Sequence, residues 1–216
     1  FPVVLKADGL AAGKGVVIAQ DLAEAEAAIS AAMTGGRFGR AGERLVIEQC
    51  LTGPEVSFFV LADGTRAVTL GTAQDHKRIF DNDEGPNTGG MGAFAPSPLV
   101  DEAMHDRVIR EVVRPVLDGM AAEGHPFQGF LYVGLMLTPD GPRVIEFNVR
   151  LGDPEAQVIL PRLSGAVAPL FAAAARGALD TATCTLSGRP WVGVVLASRG
   201  YPESSESGRA IAGIEA

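Results

Sequence analysis

The sequence predicts an α+β fold built on antiparallel sheets, and three observations lead there. Strand-like runs follow one another across tight turns: Val3 to Ala7 and Val16 to Ala19 flank a glycine-rich stretch, and Glu55 to Ala62 meets Arg66 to Thr72 across Asp63-Gly64-Thr65. Strands joined this closely are hairpin neighbours, because a parallel crossover needs a dozen residues or more. Segments of helical period are intermixed with these strands rather than alternating strictly with them. At 216 residues, 47% hydrophobic and 20% charged, the chain is large enough for a packed domain, or for one domain and part of another.

The elements follow in order. Gly9 to Gly15 is a glycine-rich hairpin tip, and Asp21 caps an alanine-rich helix running to about Met33, with Glu24 at the third helical position completing the capping pattern. Leu45 to Leu51 reads as a strand, separated from the next by Thr52-Gly53-Pro54. From Asp81 to Pro98 the chain is rich in Gly, Pro, Asn and Asp without a hydrophobic period, which predicts a long loop of the functional or disordered kind. Val100 to Ala122 has helical spacing, with Val108, Val112, Val116 and Met120 on one face. Phe127 to Leu137 and Arg143 to Val149 are strands around Pro139-Asp140-Gly141, and Pro154 to Leu163 and Ala166 to Arg176 are helices. After Ser187-Gly188-Arg189-Pro190, Trp191 to Ala197 reads as a buried strand; the Ser, Gly and Glu rich remainder has too little apolar surface for a domain. No internal repeat is present.

Composition excludes several classes. A formal net charge of -8 without any basic run argues against nucleic acid as a partner, since phosphate backbones are neutralised by clustered Lys and Arg. Cys50 and Cys184 are too few for a disulfide framework and have no zinc-ligand spacing, which predicts a reducing, cytoplasmic setting. Apolar stretches are broken by Gly, Pro or charge well short of a membrane span, so no membrane partner is expected. A chain that opens Phe1-Pro2-Val3-Val4-Leu5 begins inside a strand-like run, and upstream sequence is expected.

Several constellations carry chemistry. Lys6-Ala7-Asp8-Gly9-Leu10-Ala11-Ala12-Gly13-Lys14-Gly15 places one lysine at a strand end and a second in a glycine-rich tip. Backbone N–H groups and compact positive charge in this arrangement suit a triphosphate, although an ordinary hairpin turn with solvated lysines has the same residues. It is not a Walker loop, because Gly13-Lys14 is followed by Gly15 and no helix starts there. Val144-Ile145-Glu146-Phe147-Asn148-Val149-Arg150 alternates, so Glu146, Asn148 and Arg150 share one strand face. A carboxylate beside an amide oxygen suits Mg²⁺, and Arg150 suits charge developing in phosphoryl transfer; a solvated polar face is the plainer reading, against which stands the acidic turn Leu151-Gly152-Asp153-Pro154-Glu155. Glu48-Gln49-Cys50-Leu51, then Glu55 past a Gly-Pro turn, can offer a strand edge and an acid to a base and ribose, or form an exposed strand. Gln74-Asp75-His76-Lys77-Arg78 is a dense polar cluster, and Gly85-Pro86-Asn87-Thr88-Gly89-Gly90-Met91-Gly92 is glycine-dense enough to suggest close approach to a ligand rather than a mobile loop.

In this order, Lys6 to Val16, Gln74 to Arg78, Gly85 to Ala93, Gly129 to Met136 and Ile145 to Gln157 resemble the phosphoribosylamine-glycine ligases of the ATP-grasp superfamily, across nearly the whole chain. The resemblance implies an ATP-grasp fold: residues 1–48 in the small lobe, 49–187 forming the large lobe, and 188–216 starting a carboxy-terminal domain. It implies that Lys6, Gly13, Lys14 and Gly15 grip phosphates, that Glu48, Gln49, Cys50 and Leu51 meet adenine, and that Glu55 binds ribose. Glu146 and Asn148 correspond to magnesium or manganese ligands, and Lys77 and Arg150 to the catalytic basic groups. Asp75, Asn87, Thr88, Gly89, Gly90, Met91 and Asp153 correspond to the substrate side. The implied reaction joins glycine to 5-phosphoribosylamine at the expense of ATP, through a glycyl-phosphate, in purine biosynthesis. Another ATP-grasp carboxylate-amine ligase, or a non-catalytic ATP-binding module, are the competing readings. The sequence departs from the pattern at Gly134-Leu135-Met136, which has no second metal-binding carboxylate, and at Val149 and Leu151, where Cys and Phe are common. Further domains, including one that helps bind phosphoribosylamine, are expected outside Phe1–Ala216.

Overall fold

Residues 1–11, 15–179 and 184–214 are described by the computed structural model. The contacts divide the chain into two units, Phe1–Thr52 and Gly53–Ala216, a boundary slightly beyond the one read from sequence.

In the first unit, β-branched residues on both sides of the glycine-rich tip pair as a hairpin. β1 (Val3–Ala7) lies between β2 (Val16–Ala19) and β3 (Leu45–Gln49), antiparallel to both. Strand alternation sends Leu5, Ala19, Val3 and Val17 to the face on which α1 (Leu22–Met33) packs Ala25, Ala28 and Ile29. The opposite face carries Val4, Lys6, Val16, Ile18, Val46 and Glu48, and Val16 and Ile18 are 52% and 53% exposed. The start of α1 is held as its capping pattern predicts. Asp21 Oδ1 accepts from the Glu24 N–H at 2.9 Å, and Glu24 Oε2 accepts from the Gln20 N–H at 2.7 Å.

The second unit is a six-stranded antiparallel sheet in the order β11-β6-β5-β4-β7-β8. The strands are β4 (Glu55–Asp63), β5 (Ala67–Phe80), β6 (Glu84–Ala95), β7 (Gln128–Thr138), β8 (Gly141–Asn148) and β11 (Trp191–Val194). β4 lies near the centre with both faces covered, which is why Glu55 to Asp63 is almost continuously apolar. Phe58, Val60, Leu131 and Val133 pack under α2 (Glu102–Val108) and α3 (Arg114–Ala122). Phe59, Leu61, Leu70 and Tyr132 pack under α4 (Ala156–Ile159) and α5 (Val167–Ala175). A separate pair, β9 (Leu163–Gly165) with β10 (Cys184–Leu186), takes residues expected to be helical or irregular.

Four expectations need correction. The segment 81–98 is not a loop: β5 runs on to Phe80, Asp81–Asp83 turn with Asn82 and Asp83 at φ 61° and 57°, and Glu84–Ala95 returns as β6. Its glycines hid the pattern, while Asn and Asp at positive φ are the turn signal that was available. The helix of Val100 to Ala122 is interrupted by a π turn at Ile109–Val113, so Val113 and Leu117 are buried while Val116 and Met120 are only partly so. Pro115 has no N–H for a carbonyl one turn back, and the wider turn immediately upstream absorbs the misfit. β11 is an edge strand, not a buried one, with Val192 and Val194 73% and 75% exposed. β8 ends at Asn148, so Arg150 is not on the strand with Glu146. Among the described residues no helix is long and apolar enough to cross a membrane.

Candidate active site

The register of the large sheet gathers polar side chains at one end of one face. Ser57 stands opposite Ala73 on one side and Gly134 on the other, Gly134 opposite Glu146, and Tyr132 opposite Asn148. With a period of two, that face therefore carries Glu55 and Ser57 from β4, Asp75 and Lys77 from β5, Tyr132 from β7, and Glu146 and Asn148 from β8. A cavity of about 20 Å³, the room of a water molecule, is lined by Glu55, Ser57, Asp75, Lys77, Tyr132 and Glu146 among others. Gly134 keeps the middle of the face low: a Cβ there would stand 3.2 Å from both Glu146 Cγ and Tyr132 Cε1.

Lys77 is the charge centre. Its Nζ donates to Glu55 Oε2 at 2.9 Å and lies 3.6 Å from Asp75 Oδ2. Burial works against its charge, but the carboxylates of Asp75 and Glu55 outweigh that and hold its pKa above the ordinary lysine value, so it is a permanent cation. Glu146 Oε1 accepts from Asn148 Nδ2 at 2.9 Å, leaving hard oxygen atoms of both residues on one face. Among the described residues no group of three His, Cys, Asp or Glu side chains can hold a metal. The donor set of Glu146 and Asn148, a carboxylate beside an amide oxygen, fits a hard cation such as Mg²⁺ that completes its shell with other oxygens.

Behind these residues is a network that sequence reasoning did not assemble. Ser57 Oγ lies 3.0 Å from Glu155 Oε1 and 3.1 Å from the Tyr132 hydroxyl oxygen. A serine hydroxyl has one proton, so when Ser57 donates to the carboxylate it accepts from the phenol. Burial pushes the Tyr132 phenol up to about 12, with the charge of Lys77 acting the other way. Burial, then the Asp75 charge, raises the Glu155 carboxyl. Ser57 was findable, because it stands two residues after Glu55 and so on the same face; Tyr132 and the return of Glu155 needed the strand register.

The other sequence-selected residues distribute as follows. In the first unit, Lys6 Nζ contacts Glu48 Oε2 at 2.5 Å on the face that α1 does not cover. Gln49 ends β3, half-buried Cys50 and Leu51 follow it, and Gly15 closes the hairpin by accepting the Ala7 N–H at 2.8 Å. Gly13 and Lys14 lie outside the described residues. In the second unit, Asn87, Thr88, Gly89, Gly90 and Met91 are strand residues of β6. The Thr88 hydroxyl donates to Lys77 O at 2.8 Å, Gly89 N to the Tyr201 hydroxyl at 2.9 Å, and Met91 O accepts from Val195 N at 2.9 Å. Beyond β8, Arg150 Nη1 donates to Leu151 O at 2.9 Å and Asp153 Oδ1 accepts from Gln157 Nε2 at 2.8 Å.

The family model of the phosphoribosylglycinamide synthetase ATP-grasp (A) domain matches residues 1–156. The chain belongs to this ATP-grasp family. Over 216 residues it is 55% identical to phosphoribosylamine–glycine ligase of Allochromatium vinosum, covering all of this chain and 50% of that protein. Over 214 residues it is 52% identical to the Pseudomonas aeruginosa protein of that name, covering 99% of this chain and 50% of the relative. The crystal structure of phosphoribosylamine–glycine ligase from Thermotoga maritima superposes with a TM-score of 0.84 at 38% identity, covering 95% of this chain and 51% of that one. The chain spans about half the length of the curated relatives it matches. The fold is therefore an ATP-grasp fold.

Proposed function

We propose that this chain is the ATP-binding core of an ATP-dependent ligase that joins glycine to 5-phosphoribosylamine, giving glycinamide ribonucleotide, ADP and phosphate. The observation that carries the reading is the single sheet face that brings together a caged lysine, two acids and a Glu/Asn pair from three strands. A carboxylate is a poor electrophile. Transfer of the γ-phosphoryl group to an oxygen of glycine makes a glycyl-phosphate, and attack by the amine nitrogen then expels phosphate and releases a proton. Those steps gather negative charge, and permanent cations fixed beside the phosphates stabilise it.

In this reading Lys6, with Gly13, Lys14 and Gly15, attends the phosphates. The apolar Val4, Val16, Ile18 and Val46 around Lys6 offer the adenine a flat, water-poor surface, with Glu48 to Leu51 at its edge. Glu55 serves the ribose, and Lys77 and Arg150 the transferring phosphoryl group. Glu146 and Asn148 hold Mg²⁺ or Mn²⁺, which when bound screens the phosphate charge. Asp75, Asn87 to Met91 and Asp153 attend glycine and the amine. Residues 188–216 belong to a further domain, and the setting is the cytoplasm.

The test uses the full-length protein with ATP, Mg²⁺, glycine and phosphoribosylamine, following ADP release. Glu146→Ala is expected to lower the rate by about a hundredfold or more, the scale of losing a metal's charge stabilisation. Unchanged release in that variant would sink the metal assignment, and release indifferent to glycine would sink the substrate.

A further inference from the structure

The turn after β8 is the part of the polar face that no strand carries, and it is docked at two separate points. Glu155 is only 3% exposed, and its Oε1 accepts from Ser57 of β4 at 3.0 Å. Gly152 packs directly on that carboxyl, where a Cβ would overlap both carboxyl oxygens. Gly90 of β6 packs on Pro154 in the same manner, since its Cβ would overlap Pro154 Cδ and stand 3.1 Å from Asp153 O. In the sheet β5 lies between β4 and β6, so the two docking points straddle the strand that carries Asp75 and Lys77. Among the described residues no ion pair includes Glu155. Its side-chain partner is the neutral Ser57, and the nearby Asp75 repels its charged form more than Lys77 favours it.

We propose that Glu155 is a positioning residue whose carboxyl, through Ser57, clamps the Leu151–Glu155 turn across β5, and that residues 90 and 152 are glycine so that this clamp can close. The clamp fixes where the exposed Arg150 and Asp153, which flank half-buried Leu151 and buried Gly152, stand relative to Asp75 and Lys77. Gly90 then also supports the turn through Pro154. The kinetic consequence rests on the ligase reading above; the geometric one does not.

The experiment compares Glu155→Ala, Glu155→Gln and Ser57→Ala in the full-length protein. Glu155→Ala is expected to lower kcat about 10- to 100-fold, the range for a misplaced but intact constellation. Its ATP dissociation constant by calorimetry should stay within about threefold, because nucleotide binding does not require the turn. Glu155→Gln keeps an oxygen acceptor for Ser57 and is expected to recover to within about fivefold of the parent, which a proton-transfer group would not allow. Hydrogen exchange of amides 151–157 should quicken in the Ala variant and return to the parent rate in the Gln variant. If Glu155→Ala does not fold, Ser57→Ala carries the test, with faster turn exchange and lower kcat at near-parental ATP affinity expected. Parental kcat and parental turn exchange in Ser57→Ala overturn the proposal, as does a Glu155→Gln variant as impaired as the Ala one. A parent that releases no ADP with glycine and phosphoribosylamine fails the ligase reading alone, and the exchange comparison still decides the clamp.

Discussion

The two units bury themselves very differently. Among the described residues, the core cluster of Phe1–Thr52 holds three buried side chains, Leu5, Ala19 and Ala25, under a single helix. Gly53–Ala216 has cores of twelve and ten on the two faces of its sheet. Alanine on α1 has little area to bury, so at roughly 25 cal/mol per Å² the small unit gains little from packing within itself. What it keeps is an apolar sheet face around Lys6 and Glu48 that its own helix does not cover. The large unit is the reverse: its polar residues are gathered at one end of a sheet that is well covered elsewhere. The difference teaches that the polar face of the large sheet is mounted on a deep core, whereas Lys6 and Glu48 are mounted on a thin element with little packing of its own.

The sharpest way to break that comparison is at the centre of the large sheet. Phe58 is fully buried beneath α2 and α3, and Phe58→Ala is expected to cost about 3–5 kcal/mol, the range for emptying an aromatic from a core. Trp191, the single tryptophan, is in β11 of the same unit, so a urea titration followed by its fluorescence should show a lower midpoint at unchanged slope. A midpoint equal to the parent would mean that the deep core does not carry the stability assigned to it.

Asp63 is next. It sits buried at the end of β4 and accepts from the backbone N–H groups of Arg66, Thr65 and Leu179 and from the Thr65 hydroxyl. Burial alone would raise its pKa, but these donors outweigh burial and hold it at about 2, below the ordinary 3.8. Because the folded value is the lower one, the stabilisation is present above about pH 4 and is lost as pH falls through about 2. Asp63→Asn is expected to lose about 2–3 kcal/mol at neutral pH, since an amide cannot serve the same four donors as a charged acceptor. Urea midpoints collected from pH 6 down to pH 2 should also fall less steeply in the variant than in the parent.

Much of this architecture was legible in the sequence, and the failures share a cause. β1, β2, α1 and the Glu146 and Asn148 alternation depend on residues next to one another in the chain, and the local period reports them. β6 was hidden because Gly85 to Gly92 lack the side chains that make a period visible, although their backbone still pairs with β5. β11 looked buried because apolar residues ordinarily imply cover, whereas an edge strand can leave them open. Arg150 was placed by extending an alternation one step past the end of its strand. The Ser57, Tyr132 and Glu155 network spans 98 residues of sequence and exists only once β4, β7 and the turn after β8 are in register.

The smallest effect tests the thin side of the comparison. The Asp21 cap of α1 satisfies the Glu24 N–H, and removing such a cap costs about 1 kcal/mol in an ordinary helix. In a unit with three buried core residues, that is a large share of what holds the helix to its sheet. Asp21→Ala is therefore expected to speed hydrogen exchange of the amides of α1 and β1 about fivefold, 1 kcal/mol expressed as an opening equilibrium, while the Trp191 urea midpoint stays at the parental value. If the Trp191 midpoint moves with the exchange rates, the small unit does not open by itself, and the contrast drawn between the units is one of core size and not of stability.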